Sequence, residues 1–108
     1  MSAIRFLVAD SSPALQTYLR QLLEGHGFEP GSIKTANYPQ AALEVAADHP
    51  PHLLLSDHFP KEPLSGLALH EALLRRDPTC RLGYMAERLD AKLQAQAESA
   101  GALFVLGK

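Results

Sequence analysis

Five short apolar runs alternate with segments of helical periodicity, and that alternation constrains the fold of this chain more than any other feature. The runs are "IRFLVAD" (Ile4 to Asp10), "SIKTA" (Ser32 to Ala36), "LLLSD" (Leu53 to Asp57), "RLGYM" (Arg81 to Met85) and "ALFVLG", which ends at Lys108. The leucine run is too short for a typical helix and is bounded by Pro50 and Pro51 upstream and Pro60 downstream, so it reads as a strand buried on both faces. Strands of that kind belong to parallel sheets covered by helices. "SIKTA" is the weakest of the five and reads as an edge strand.

The intervening segments carry the punctuation of helices. After the first run, Ser11 or Ser12 can cap a helix with Pro13 in its first turn, Leu15, Tyr18, Leu19 and Leu22 recur at helical spacing, and Gly25 or Gly27 supplies the stop. A second helix starts at Pro39 and brings Leu43, Ala46 and Ala47 near one another. A third runs from about Ser65 to Arg76 and ends at Asp77 and Pro78, and a fourth carries Leu89, Leu93 and Ala97 and stops at Gly101. With no repeat or linker, the pattern predicts one α/β domain over residues 1–108, with parallel strands, right-handed crossovers and helices on both faces.

Composition narrows the partners. A chain of 108 residues that is 46% hydrophobic supports one core and leaves no room for two. With 10 Lys+Arg against 12 Asp+Glu and a net charge of -2, it has no basic field to draw nucleic acid and no polybasic face to hold a membrane. The lone Cys80 excludes an internal disulfide framework and a cysteine metal cluster. No apolar stretch approaches the ~20 residues of a membrane span or the plan of a secretory signal, so the expectation is a cytoplasmic protein.

The first and third runs end on aspartates, Asp10 and Asp57, and the fifth on Lys108. If the strand order reverses between the first and third strands, as in flavodoxin-like doubly wound sheets of order 2-1-3-4-5, these three side chains converge at the switch point where ligands gather. Two adjacent carboxylates repel unless a cation sits between them, and a hard divalent ion such as Mg²⁺ takes oxygen ligands. The ammonium of Lys108 could then meet an anion bound at the same place. Such a constellation suits phosphoryl transfer to a carboxylate.

In "VADSSP", "LLLSD", "AGA" and the final Lys108, taken in that order and spacing, the sequence resembles the response-regulator receiver family over its whole length. The resemblance implies that Asp57 accepts a phosphoryl group from a histidine kinase, a phosphotransfer protein or a small phosphodonor. It implies that Asp10, Asp57 and the backbone carbonyl of Phe59 hold Mg²⁺ and that Lys108 contacts the phosphoryl oxygens. The chain would then be a phosphorelay module that signals to an output domain or protein and is not itself an enzyme.

Departures from the family pattern carry expectations of their own. Ser11 stands where receivers carry a second acid, which implies weak Mg²⁺ binding with Asp10 acting through a water. Met85 is aligned with the Ser or Thr of the fourth strand and cannot donate a hydrogen bond, and Val105 is aligned with the aromatic switch residue, so both halves of the usual relay are missing. The loop "DHFPKEPLSG" is longer than usual and lacks a Met-Pro pair. A fifth helix would follow Lys108 in the family, so these residues are expected to be the retained part of a longer receiver. If they were the whole molecule, a homodimer through the bare face of "ALFVLG" is expected.

Other readings differ in what they require. A pseudo-receiver would keep the fold and bind a partner without phosphorylation. A phosphatase of the haloacid dehalogenase type needs a second acid two residues after its nucleophile, whereas Ser12 follows Asp10 and Phe59 follows Asp57 at that distance. A flavin carrier needs a phosphate-cradling loop of Ser, Thr and Gly after the first strand. Among single residues, His58 reads as a solvated loop histidine, Met85 as a core gap-filler and Cys80 as a small, partly buried side chain. Outside a shared site, Asp10 would be a helix cap and Lys108 a solvated chain end.

Overall fold

A computed structural model describes residues 4–108. The elements alternate strictly: β1 (Phe6–Ala9), α1 (Pro13–Gly25), β2 (Ile33–Ala36), α2 (Pro39–Asp48), β3 (Leu53–Asp57), α3 (Gly66–Arg76), β4 (Arg81–Ala86), α4 (Ala91–Ser99) and β5 (Phe104–Gly107). All strand pairs are parallel, in the order β2-β1-β3-β4-β5. This is the flavodoxin-like doubly wound sheet, with its switch point between β1 and β3.

Local chemistry trims the expected strands. Ser32 belongs to a short 3-10 turn, Pro30–Ser32, and its hydroxyl donates to the Glu29 carbonyl at 2.6 Å, so the edge strand begins one residue late. Ala102 closes the turn after α4 instead of extending β5: Gly101 adopts a φ of +86° and the Ala102 N–H reaches the Ala97 carbonyl at 3.1 Å, while the Leu103 N–H, just ahead of β5, donates to the Leu82 carbonyl of β4 at 2.7 Å. Glycine suits that left-handed backbone because it has no Cβ to clash. Ser12 caps α1 by accepting from the Leu15 N–H at 3.2 Å, with Pro13 at the first helical position.

The sheet is covered unequally. On one face, α2, α3 and α4 lay Ala42, Ala46, Leu69, Leu73, Leu93 and Ala97 against Leu7, Leu54, Leu82 and Tyr84. On the other, α1 alone covers Phe6, Val8, Ile33 and Leu55 with Leu15, Leu19 and Leu23. The register pairs Gly83 with Phe104 and Met85 with Leu106, so the second face continues toward β5, where none of the described helices lies over it. Leu106 is 53% exposed and Leu22, on the neighbouring flank of α1, 44%.

Candidate functional site

Register brings the two aspartates together. Ala9 pairs with Ser56 across β1 and β3, so Asp10 and Asp57 leave the sheet side by side at its carboxyl edge. Asp10 is fully buried. Its N–H donates to the Ala36 carbonyl at 3.0 Å, and its Oδ1 accepts from the Ser12 N–H at 2.9 Å. The helix cap is therefore Ser12, and Asp10 orders the turn one step earlier, which leaves its second oxygen for the site.

That oxygen meets Lys108. The ammonium lies 2.6 Å from Asp10 Oδ2 and 2.7 Å from Asp57 Oδ1, after the side chain has crossed β4 from the end of β5, where the Lys108 N–H donates to the Ala86 carbonyl at 2.8 Å. The lysine is thus no solvated chain end. It is the cation between the carboxylates, and it leaves the trio with one net negative charge. Burial alone would lower the Lys108 pKa, but the hydrogen bonds and charges of Asp10 and Asp57 outweigh it and hold the ammonium above its ordinary 10.5.

Asp57 also positions the following loop. Its Oδ2 accepts from the Phe59 N–H at 2.9 Å. Phe59 sits at a φ of +53°, an uncommon conformation for a bulky residue, and its buried ring in the core holds it there. The Phe59 carbonyl accepts from the Glu62 N–H at 3.2 Å, which leaves one lone pair of that oxygen available. Among the described residues no group of three or more His, Cys, Asp or Glu side chains is arranged to hold a metal. An ion here would rest on two carboxylates, one carbonyl and water. That donor set fits Mg²⁺, which retains several waters and binds through few carboxylates. Ser11 is exposed and lines the same groove as Asp10 and Asp57.

At the departing positions, Met85 is buried in the core cluster of the α1 face, as a gap-filler would be, and also lines the groove. Val105 is half-buried against the core of the opposite face. Cys80 is buried outright, and burial pushes its thiol up from 9.0 to about 11.

The sequence reading missed a polar pair beside the site. His58 is half-buried rather than solvated, with its Nδ1 2.7 Å from the hydroxyl of the fully buried Tyr84. The same hydroxyl accepts from the Leu67 N–H at 3.2 Å. Burial raises the Tyr84 phenol well above its ordinary 10.0. A signal was present: a tyrosine within an otherwise aliphatic strand needs a partner for its hydroxyl, and a histidine just past the neighbouring strand end can supply one.

No protein-family model matches the sequence, and no curated protein matches it. Solved structures do. A response regulator receiver domain from Clostridium thermocellum shares 22% identity at a TM-score of 0.81, covering 97% of this chain and 82% of its own. The CheX-CheY-BeF3-Mg²⁺ complex from Borrelia burgdorferi gives 20% identity and a TM-score of 0.82, over 97% of this chain and 78% of that one. A response regulator from Burkholderia pseudomallei, solved with a phosphorylated aspartic acid, calcium ion and citrate, gives 25% and 0.81, over 97% and 59%.

Proposed function

We propose that this chain, which has the fold of response-regulator receiver domains, is an atypical receiver that accepts a phosphoryl group on Asp57. One observation carries the reading: Lys108 bridges Asp10 and Asp57 at 2.6 and 2.7 Å beside an open groove that all three line. A carboxylate oxygen of Asp57 attacks phosphorus as the donor's P–N bond, in a phosphohistidine, or P–O bond, in acetyl phosphate, breaks and the leaving group takes the electron pair. Lys108 remains to pair with the anionic charge that arrives, and the Phe59 N–H is placed to donate to it. Asp10, Asp57 and the Phe59 carbonyl would hold Mg²⁺, which when bound neutralises the phosphoryl charge. Affinity would be low because Ser11 adds no carboxylate. The partners proposed are a histidine kinase or phosphotransfer protein upstream and an output domain or protein downstream, in the cytoplasm.

The test is intact-protein mass after incubation with Mg²⁺ and acetyl phosphate. The wild type should gain one phosphoryl group and Asp57→Asn none. An unmodified wild type would leave the pseudo-receiver reading, favoured by the apolar Met85 and Val105, as the better one.

A further inference from the structure

We propose that modification of Asp57 is read out through α3, with Tyr84 as the positioning residue that couples them, and not through the ends of β4 and β5. The proposal rests on the phosphoacceptor reading above. Tyr84 projects into the face covered by α2, α3 and α4, and its hydroxyl contacts two segments at once: His58, the residue after Asp57, and the N–H of Leu67, in the first turn of α3. The Tyr84 oxygen already accepts from Leu67, and a buried hydroxyl proton needs an acceptor. The hydroxyl therefore donates to His58 Nδ1, which makes the neutral imidazole an Nε2–H tautomer.

Backbone contacts complete the coupling. The Gly66 N–H donates to the His58 carbonyl at 3.0 Å, and Gly66 packs so closely on the Asp57 carbonyl, the Ser56 hydroxyl and the Tyr84 ring that no Cβ would fit. Ser65 caps the helix through the Ala68 N–H at 3.1 Å. The first turn of α3 is thus bound to Asp57, His58 and Tyr84, and the helix follows its start because Leu69 and Leu73 are buried in the same core.

A conformational equilibrium shifts only where the two states make different contacts. Such a difference exists in this loop. In the unmodified site the Phe59 N–H donates to Asp57 Oδ2, and an attached phosphoryl group supplies new oxygen acceptors that compete for that donor. When the Phe59 N–H turns, His58 turns with it, and His58 is what Tyr84 holds. Met85 and Val105 present only apolar side chains and offer the modified aspartate no new contact.

Amide chemical shifts with and without Mg²⁺ and beryllofluoride test this in the wild type, in Tyr84→Phe and in His58→Ala. The Phe variant keeps the buried ring, and the Ala variant alters only a half-buried loop residue, should loss of the hydroxyl impair folding. In the wild type, changes should run from His58 to Leu64 and on into Leu67 to His70, exceeding those at Met85 to Glu87 and Phe104 to Leu106. In both variants the loop should still respond while the α3 response falls by half or more. The His58 ring nitrogens should report the Nε2–H tautomer in the wild type and lose that bias in Tyr84→Phe. An α3 response unchanged in the variants, or one concentrated at Met85 to Glu87, would overturn the proposal alone. Absence of a bound-fluoride resonance in the wild type would overturn the phosphoacceptor reading and the proposal with it.

Discussion

On the face covered by α2, α3 and α4, Leu54, Leu69, Leu82 and Tyr84 are sealed from solvent, whereas on the α1 face Tyr18, Leu22, Phe104 and Leu106 remain exposed. Burial stabilises by roughly 25 cal/mol for each Å² of apolar surface removed from water, so residues of equal hydrophobicity contribute unequally. The covered face also carries the hydrogen bonds of Tyr84, His58 and Leu67, while the open face meets the site through apolar side chains and the stem of Lys108. The difference separates two jobs. One face holds the fold and grips the loop after Asp57, and the other leaves the groove accessible.

Two glycines give the sharpest contrast. A Cβ on Gly66 would strike the Asp57 carbonyl, a backbone atom that cannot withdraw without moving α3 off the sheet. Gly66→Ala should cost about 3 kcal/mol or more, at the severe end of overpacking. A Cβ on Gly83 would meet the tip of the Phe104 ring and a methyl of Leu55, and Phe104 can swing toward solvent. Gly83→Ala should cost under about 1.5 kcal/mol. Urea midpoints of the two variants measure the difference, and equal losses would mean that the open face is as constrained as the covered one.

Leucine truncation repeats the comparison with less severity. Leu82 is fully buried and Leu106 is 53% exposed. Leu82→Ala should cost about 2 to 5 kcal/mol, and Leu106→Ala should stay within about 0.5 kcal/mol. A cost at Leu106 that grows with protein concentration would show that another surface covers this face in solution.

Alkaline titration weakens the covered face first. Cys80 is raised from 9.0 to about 11, so between those values the unfolded chain has released a proton that the folded chain still holds. The unfolded state then binds fewer protons, and stability falls as pH rises through that window. Tyr84 and Lys108 are raised from 10.0 and 10.5 and act in the same direction at higher pH. For Cys80 the loss by about pH 10 should be about 1 to 2 kcal/mol, at about 1.4 kcal/mol for each pH unit crossed above 9.0. Urea unfolding of wild type and Cys80→Ala below pH 9.0 and near pH 10.0, before Tyr84 contributes much, measures it, and the fall should be flatter in Cys80→Ala.

Much of this was legible in the sequence because strand periodicity and terminal carboxylates are local signals. Leu53 to Asp57 announced a buried strand ending on an acid, and the register placed Asp10 and Asp57 together as the strand order required. The strand ends were less legible, since Ser32 and Ala102 satisfied turn hydrogen bonds instead of joining the ladder. The role of Lys108 depended on how far its stem reaches across β4. Neither the slot for Gly66 nor the bond from His58 to Tyr84 could be read locally, because each joins segments far apart in the chain.

The smallest expected effect on stability lies at the mouth of the groove, at Ser11. A carboxylate about 4 Å from a divalent ion gains about 2 kcal/mol even at the dielectric of bulk water, partly offset by desolvation. Ser11→Asp should therefore tighten Mg²⁺ binding roughly tenfold, equivalent to about 1.4 kcal/mol. Without metal the added charge joins a site that already carries one net negative charge, so stability should fall by no more than about 0.5 kcal/mol, the range of most surface substitutions. Thr17→Asp, an exposed position within α1, is the control for general charge and should leave the affinity near that of the wild type. Titration calorimetry of the three proteins separates the outcomes. Equal affinity in Ser11→Asp and wild type would remove Ser11 from the metal site, and equal gains in both aspartate variants would assign the effect to net charge instead of to a ligand.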